Sequence, residues 1–534
     1  MKKKFIKLIE DHNGAYDYWK ELRLRSKTLI HFDAHFDFNF LPAKPPLQTL
    51  EEARGKEDLI RQCSDNVTYA ELEKDERSLT NIGNYIYPAI RDGIVKYFYW
   101  VIPGGPDQLT KASDNVKRML TKIRRKDPFG QSKIVRKRNA LQTKIYGRDL
   151  YITTLDGLEA GLKNAIIDID IDFLTTGTIQ KSGSFIDAGR RFPWIWPRDL
   201  VKAIKNKKIR YDCVTIAYSV NGGFTPLMYK FFGDELAFYL NDDPGKLNAF
   251  ISKRNAALKL FYNGKTAAAF KIASHLLSDI DTVGIDRSLI KKLKAHVNFM
   301  LFRMRAKTGL KNERVKYYQT CVRLDGTYRA KDNNYGPLFL RRKKALKKAE
   351  KEFRLILEAD KGNFNPLLGL GKVYIRKKDP DKAFLYLRRA YRAAPENKEV
   401  LFHLGKAEDM RGNYKTAINY LKACLEKDKF HRNAMFLLGD IYVKVGGIDS
   451  ALRVYSNAYK YRTGIVSKYK LFKFIKGIDV PSAHRDWIGR EIRSYKNLRD
   501  NFQSMMNRMP SSERKRALSR HIKKTDREIK GIQV

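Results

Sequence analysis

Residues Leu29 to Phe40 read LIHFDAHFDFNF, an aromatic and aliphatic run that carries His31, Asp33, His35 and Asp37 at every second position. Alternate side chains of a strand share one face, so the four ionisable groups project together if the strand runs to its end. Carboxylates gathered this way repel one another and are costly to bury. One or two divalent cations would remove that cost, and mixed oxygen and imidazole donors suit manganese, iron or zinc. A second stretch, NAIIDIDIDFLTTG, sets Asp168, Asp170 and Asp172 at the same period. A third, LIEDHNG, places Glu10, Asp11 and His12 after a short apolar run. The nine histidines are unevenly spread: His12, His31 and His35 come early, and the next is His275.

These residues need elements to hold them. FIKLI, TLIHFDA, VKYFYWVI, NAIIDIDID and YDCVTIAYS read as strands, and AYDYWKELR, IGNYIYPAIRDG and PRDLVKAIKNK as helices. Near-continuous apolar strands alternating with helices imply a mainly parallel α/β sheet covered on both faces. In such sheets ligands bind beyond the carboxyl ends of the strands, where the two aspartate clusters would meet. A polar, strongly basic stretch interrupts the rhythm at about 106–148 and reads as an inserted loop or partly helical flap.

From about residue 341 the pattern changes to a 34-residue period. Gly371, Gly405 and Gly439 recur at that spacing, as do Ala383, Ala417 and Ala451, then Leu387, Leu421 and Tyr455, then Ala390, Cys424 and Ala458. One period earlier lie Ala349 and Phe353. Small residues recurring where paired helices cross resemble tetratricopeptide repeats, expected here over 341–465. Residues 246–340 read as a helical connector, possible degenerate repeats included, and 466–534 as a charged helical tail.

Over residues 1–245 the motifs resemble the arginase and deacetylase superfamily, whose ligands lie in a D-A-H-x-D strand and a later D-x-D strand. The resemblance narrows to a branch that includes peptide arginases, with E-D-H at Glu10 to His12, H-x-D-A-H-x-D at His31 to Asp37 and a helix like NIGNYIYPAI containing Asn84. A W-V-x-P strand end at Trp100 to Pro103 and D-I-D-x-D-F at Asp168 to Phe173 complete the series. It implies an arginase-like three-layer domain and a binuclear centre, with manganese favoured. His12, Asp33, Asp37 and Asp170 would bind one ion, and His35, Asp33, Asp170 and Asp172 the other. Asp33 and Asp170 would bridge, and Asp37 would orient the attacking water toward a guanidinium carbon. Hydrolysis would then give ornithine and urea. His31 and Asp168 would orient the ligands. Glu10, Asn84 and Ser219 are substrate-side candidates, and Asn84 equally a helix-start cap. The sequence also departs from the family. No histidine between His35 and His275 can act as the proton shuttle, Thr175 stands where a last aspartate is usual, and VTIAYSVNGGFTP offers Ser219, Asn221 and Thr225 instead of a guanidinium-binding carboxylate.

Composition widens the partner question. The 534 residues include 106 Lys+Arg against 59 Asp+Glu, a net +47. Such a field attracts polyanions, or it solvates the surface. Basic runs such as VRKRN and LRRKKALKKAEK contain few aromatics, so nucleic-acid binding would be backbone-driven and nonspecific. Four separated cysteines, no convincing signal peptide and no stretch of about 18 apolar residues imply a cytoplasmic protein off the membrane. Two other functions stay open: amide hydrolysis of the deacetylase kind, and a non-catalytic repeat scaffold binding an acidic partner or nucleic acid. In the arginase-like reading the repeats recruit the peptide or protein substrate.

Overall fold

The computed structural model describes residues 5–38, 83, 85–105, 107–110, 120, 133–137, 139–175, 192–220, 225–241, 245–306, 311–329, 345–429, 431–460, 472, 475–476, 481–507, 513–530 and 532. The chain divides into two compact units, Met1–Lys377 and Lys378–Val534.

The first unit is built on an eight-stranded sheet. Its strands are β1 (Phe5–Ile9), β2 (Lys27–Phe32), β3 (Val95–Ile102), β4 (Val135–Arg136), β5 (Ala140–Ile145), β6 (Arg148–Thr154), β7 (Ala165–Asp170) and β8 (Tyr211–Ala217). The order across the sheet is β1-β8-β7-β2-β3-β6-β5-β4. The pairs from β1 to β6 are parallel, and β5 and β4 extend the edge antiparallel. The alternation of β2 and β7 assigns the faces. Ile30, Phe32, Ile167 and Ile169 pack on one side with the helices Pro197–Asn206 and Phe231–Asn241. Leu29 and Ile166 pack on the other with Ala15, Tyr16 and Trp19 of the helix Gly14–Glu21 and with the helix Ile86–Arg91. His31 and Asp168 share this second face by the same period of two. Burying each large apolar side chain contributes roughly 1.5–3 kcal/mol, and these two layers fix the strand ends that hold the polar residues.

The last part of the basic stretch is not a loop. Leu141 and Ile145 of β5 are buried, and β5 joins β6 through a two-residue turn at Tyr146 (φ 52°) and Gly147 (φ 72°). Two consecutive left-handed residues match the right-handed twist of a hairpin, and glycine at the second suits it. Residues 140–148 thus belong to the sheet edge, and the rest of the stretch lies mostly outside the described residues. Beyond β8 the unit continues in helices, among them Gly245–Tyr262, Thr266–Asp279, Arg287–Arg305, Lys311–Leu324, Leu346–Ala359 and Phe364–Lys377. Glu235 and Arg254, both fully buried, pair at 2.5 Å within this layer.

The second unit is helical. The helices Pro380–Ala393, Lys398–Met410, Tyr414–Lys427, Arg432–Lys444 and Ile448–Lys460 follow one another, and Ser482–Asn507 and Glu513–Ile529 end the chain. The small residues of the 34-residue period are where helices touch. Ala383, Ala417 and Ala451 are fully buried, as are Leu387, Leu421, Ala390 and Cys424. A Cβ on Gly405 would sit 2.7 Å from Cγ of Leu421, and one on Gly439 would sit 2.4 Å from the Tyr455 ring. Cys213, Cys321 and Cys424 are buried free thiols; Cys63 lies outside the described residues. Among the described residues no helix is long and apolar enough to cross a membrane.

Candidate metal centre

β2 ends at Phe32, so His31, Asp33, His35 and Asp37 do not lie along one strand face. The amide of Asp33 still reaches the carbonyl of Val101 at 3.4 Å; beyond it the chain turns, and Asp37 takes φ +47°. The turn brings His35 and Asp37 back to the strand ends. The amide of His35 donates to Oδ1 of Asp33 (2.6 Å), and the indole of Trp100 donates to the Asp33 carbonyl (3.0 Å). On the neighbouring strand Asp170 ends β7, and Asp172 opens a short helix with its amide on Oδ1 of Asp170 (2.8 Å). His12 arrives from the turn between β1 and the helix Gly14–Glu21.

These residues meet on the face of the sheet that carries His31. Nδ1 of His12 lies 3.1 Å from Oδ2 of Asp33, 3.3 Å from Oδ2 of Asp37 and 3.4 Å from Oδ2 of Asp170. Nδ1 of His35 lies 2.8 Å from Oδ2 of Asp172 and 3.4 Å from Oδ1 of Asp33. Donor atoms of His12, His31 and Asp33 fall within 4.8 Å of one another, and so do those of Asp33, His35 and Asp172. Asp33 is common to the two groups.

Burial makes this convergence costly. His12, His31, Asp33, Asp168 and Asp172 are at most 1% exposed, whereas His35 reaches the surface. Both ring nitrogens of His12, Nε2 of His31, Oδ2 of Asp33 and Oδ2 of Asp172 are buried without a hydrogen-bond partner, although opposite charges lie close. The atoms lie close to one another without forming hydrogen bonds. Metal–donor bonds of about 2.0–2.2 Å leave neighbouring donors roughly 3.0–3.5 Å apart, the range of the separations here. The donor set and its orphaned atoms fit divalent cations.

The charges are arranged accordingly. Burial opposes ionisation of Asp33, but the imidazoles of His12, His35 and His31 outweigh it and hold the carboxyl well below its usual range. Burial is outweighed in the same way at Asp168, mainly by His12 and then His31. Asp37 is pushed up to about 6 by burial and the charge of Asp33. Asp170 is raised well above its ordinary value by burial, Asp172 and Asp33. Burial disfavours the imidazolium of His12 and of His35, yet Asp168 and Asp172 respectively raise both. Without cations, the cluster limits its own repulsion by holding protons.

A second ring of contacts fixes the donors. Asp168 sits beside His31 in the β2–β7 register and beside Thr215 in the β7–β8 register. Its Oδ1 accepts from Thr215 (2.5 Å), and its Oδ2 accepts from Tyr85 (2.6 Å) and from Nδ1 of His31 (3.0 Å), with Nε2 of His12 at 3.1 Å. Tyr85 and Thr215 escape sequence reasoning. Tyr85 reads as one more core aromatic, though a buried phenol needs a polar partner, and the role of Thr215 follows only from strand order. Ser219 and Glu10 make structural contacts. Ser219, at φ +50°, donates to Oδ2 of Asp170 (2.5 Å), and the Glu10 carboxylate accepts the amide of Val220 (2.9 Å). Thr175 is buried and donates to the carbonyl of Asp172 (3.3 Å). Trp194 donates to the Phe173 carbonyl, and Trp196 packs on Phe232. Asn84 and Asn221 lie outside the described residues.

Comparison with known proteins bears on the helical region. Residues 368–432 match the tetratricopeptide repeat family model. No curated protein matches the chain. Among solved structures, MamA is 22% identical, covering 36% of this chain and 92% of its own, with a TM-score of 0.25. YrrB, described as a repeat protein with an unusual peptide-binding site, is 21% identical over 32% of this chain and 86% of its own (TM-score 0.24). A thermophilic repeat protein of Thermus thermophilus is 14% identical over 40% of this chain and 91% of its own (TM-score 0.20). The chain carries a tetratricopeptide repeat region, of a kind that mediates contacts between proteins.

Proposed function

We propose that the first unit is a metal-dependent C–N hydrolase acting on arginine side chains of a peptide or protein, and that the repeats recruit that polypeptide. One observation carries the reading: His12, Asp33, His35, Asp37, Asp170 and Asp172 converge at the ends of β2 and β7, with Asp33, Asp37 and Asp170 around His12 and with Asp33 and Asp172 around His35. Such a donor set would hold two divalent ions, manganese favoured, supplying Lewis acidity and a water acidified toward neutral pH.

The chain's own groups would do the rest. Asp37, 12% exposed, borders the site. It would accept a proton from the water as the oxygen attacks the guanidinium carbon, and return it to the departing nitrogen. A C–O bond would form, the bond from that carbon to the side-chain nitrogen would break, and the proton left on the oxygen would pass to the freed amine, giving urea and the ornithine ammonium. Asp168 holds the imidazoles in place, while the Trp100 indole and the His35 amide anchor the loop that carries Asp37.

Urea and ornithine release from arginine-containing peptides, assayed with added manganese, tests the reaction. Turnover by the full chain and none by Asp170→Ala is expected. Urea from free arginine but none from peptides would remove the recruiting role of the repeats. Release of acyl groups from acyl-lysine or acyl-polyamine substrates without urea would replace the reaction by amide hydrolysis.

A further inference from the structure

Resting on that reading of the metal centre, we infer that His31 is itself a cation donor, completing an inner position with His12 and Asp33, rather than a ring that only orients other ligands. His31 is fully buried and its Nε2 has no hydrogen-bond partner. Its Nδ1 lies 3.0 Å from Oδ2 of Asp168, a carboxylate already holding the Thr215 and Tyr85 hydroxyls. An acceptor there requires the proton on Nδ1, which leaves a lone pair on Nε2. That lone pair faces Oδ2 of Asp33 at 3.4 Å, an atom 3.1 Å from Nδ1 of His12. One ring nitrogen on a carboxylate and the other aimed at a donor cluster is the usual setting of a metal-bound histidine.

A buried histidine with a purely structural task looks different. His431 in the second unit accepts the Ala434 amide on Nδ1 (3.1 Å) and hydrogen-bonds Glu399 through Nε2, whereas Nε2 of His31, at the same 3.4 Å from a carboxylate oxygen, makes no hydrogen bond to it. His31 has one end occupied, and its other end shares a small volume with His12 and Asp33.

The two positions then differ in chemistry. The inner one has the two imidazoles of His12 and His31 beside Asp33, with Asp37 and Asp170 also 3.3 and 3.4 Å from Nδ1 of His12, and the outer one has a single imidazole, His35, with Asp33 and Asp172. Nitrogen donors favour zinc, iron and cobalt over manganese. The second imidazole therefore narrows the advantage of manganese at the inner position, so a zinc, iron or cobalt ion exchanges from it less readily than from the outer one.

The test uses the full chain, stripped with a chelator and reloaded with cobalt(II), with metal content and proton NMR in water as readouts. Two hyperfine-shifted, slowly exchanging imidazole N–H signals are expected, from His12 and His31, whose N–H groups face buried Asp168. His31→Gln should remove one signal and weaken one of two bound cobalt ions by at least about 100-fold, the other staying filled. A single such signal in the unaltered protein, with two cobalt ions bound, would overturn the donor role of His31 and leave the metal centre standing. No binding of cobalt, zinc or manganese to the unaltered protein would overturn the centre itself. The signal count is read on the unaltered protein, so it does not depend on how the variant folds.

Discussion

Buried polar side chains occur in the repeats and at the sheet ends, and they are treated differently. In the second unit Glu408 (2% exposed) accepts from Arg411 and Asn413, Asp428 (4%) pairs with Lys398, and His431 caps a helix. Each has its partner inside the chain, so each is a structural group. In the first unit His12, His31, Asp33 and Asp172 are as deeply buried yet retain unpartnered atoms. Leaving one buried polar atom unsatisfied costs about 1–3 kcal/mol, more for a charge. Packing does not recover that cost at the sheet ends, whereas a bound cation would.

Four substitutions break or sharpen this contrast. The largest effect is expected at Asp33, the residue common to the two donor groups. Asp33→Ala should empty both positions, and elemental analysis finding one ion retained would show that Asp33 does not bridge. Next is a change confined to the repeats. Gly439→Ala forces a Cβ against Tyr455, and overpacking of this kind costs about 1–3 kcal/mol. Thermal unfolding should report a lowered repeat transition with metal content unchanged. Tyr85→Phe removes a hydroxyl from Asp168, one that also lies 3.4 Å from Nδ1 of His31, and keeps the ring that packs against His12. It should weaken metal binding by about 10-fold, the lower end for groups behind the ligands, as read by competition with a chelator. The smallest effect concerns Glu350, which accepts from Arg354 and Tyr374 and pairs with Lys377. Burial works against its ionisation, but these partners lower its pKa to about 2. Because the folded value lies below the unfolded one, the stabilisation is complete above about pH 4.5 and is lost as pH falls toward 2. The stability difference between the unaltered chain and Glu350→Gln, followed by denaturant unfolding, should shrink over that window.

Much of this was legible in the sequence because it is periodic. VKYFYWVI forms its strand from end to end, and PRDLVKAIKN its helix, since a run of apolar residues and a proline at the helix start are local signals. The 34-residue period located the repeat contacts, because small residues must recur where helices approach closely. Period two placed His31 beside Asp168, but it overextended β2: His35 and Asp37 reach the cluster through a turn that alternation cannot encode. The β5–β6 hairpin was hidden by its basic surroundings, although Tyr146-Gly147 between two alternating runs is a hairpin signal. Tyr85 and Thr215 depend on which strands and helices become neighbours, and the order β1-β8-β7-β2 is not written in any local pattern.

The most direct measurement of the central claim is metal content per chain, on full-length protein purified with added manganese, beside Asp170→Ala. Two tightly held ions in the unaltered protein and their loss in the variant are expected if the unpartnered donors at the ends of β2 and β7 are a binuclear centre. No bound metal in the unaltered protein would contradict it, and would leave a repeat-based binding protein with an inactive front domain.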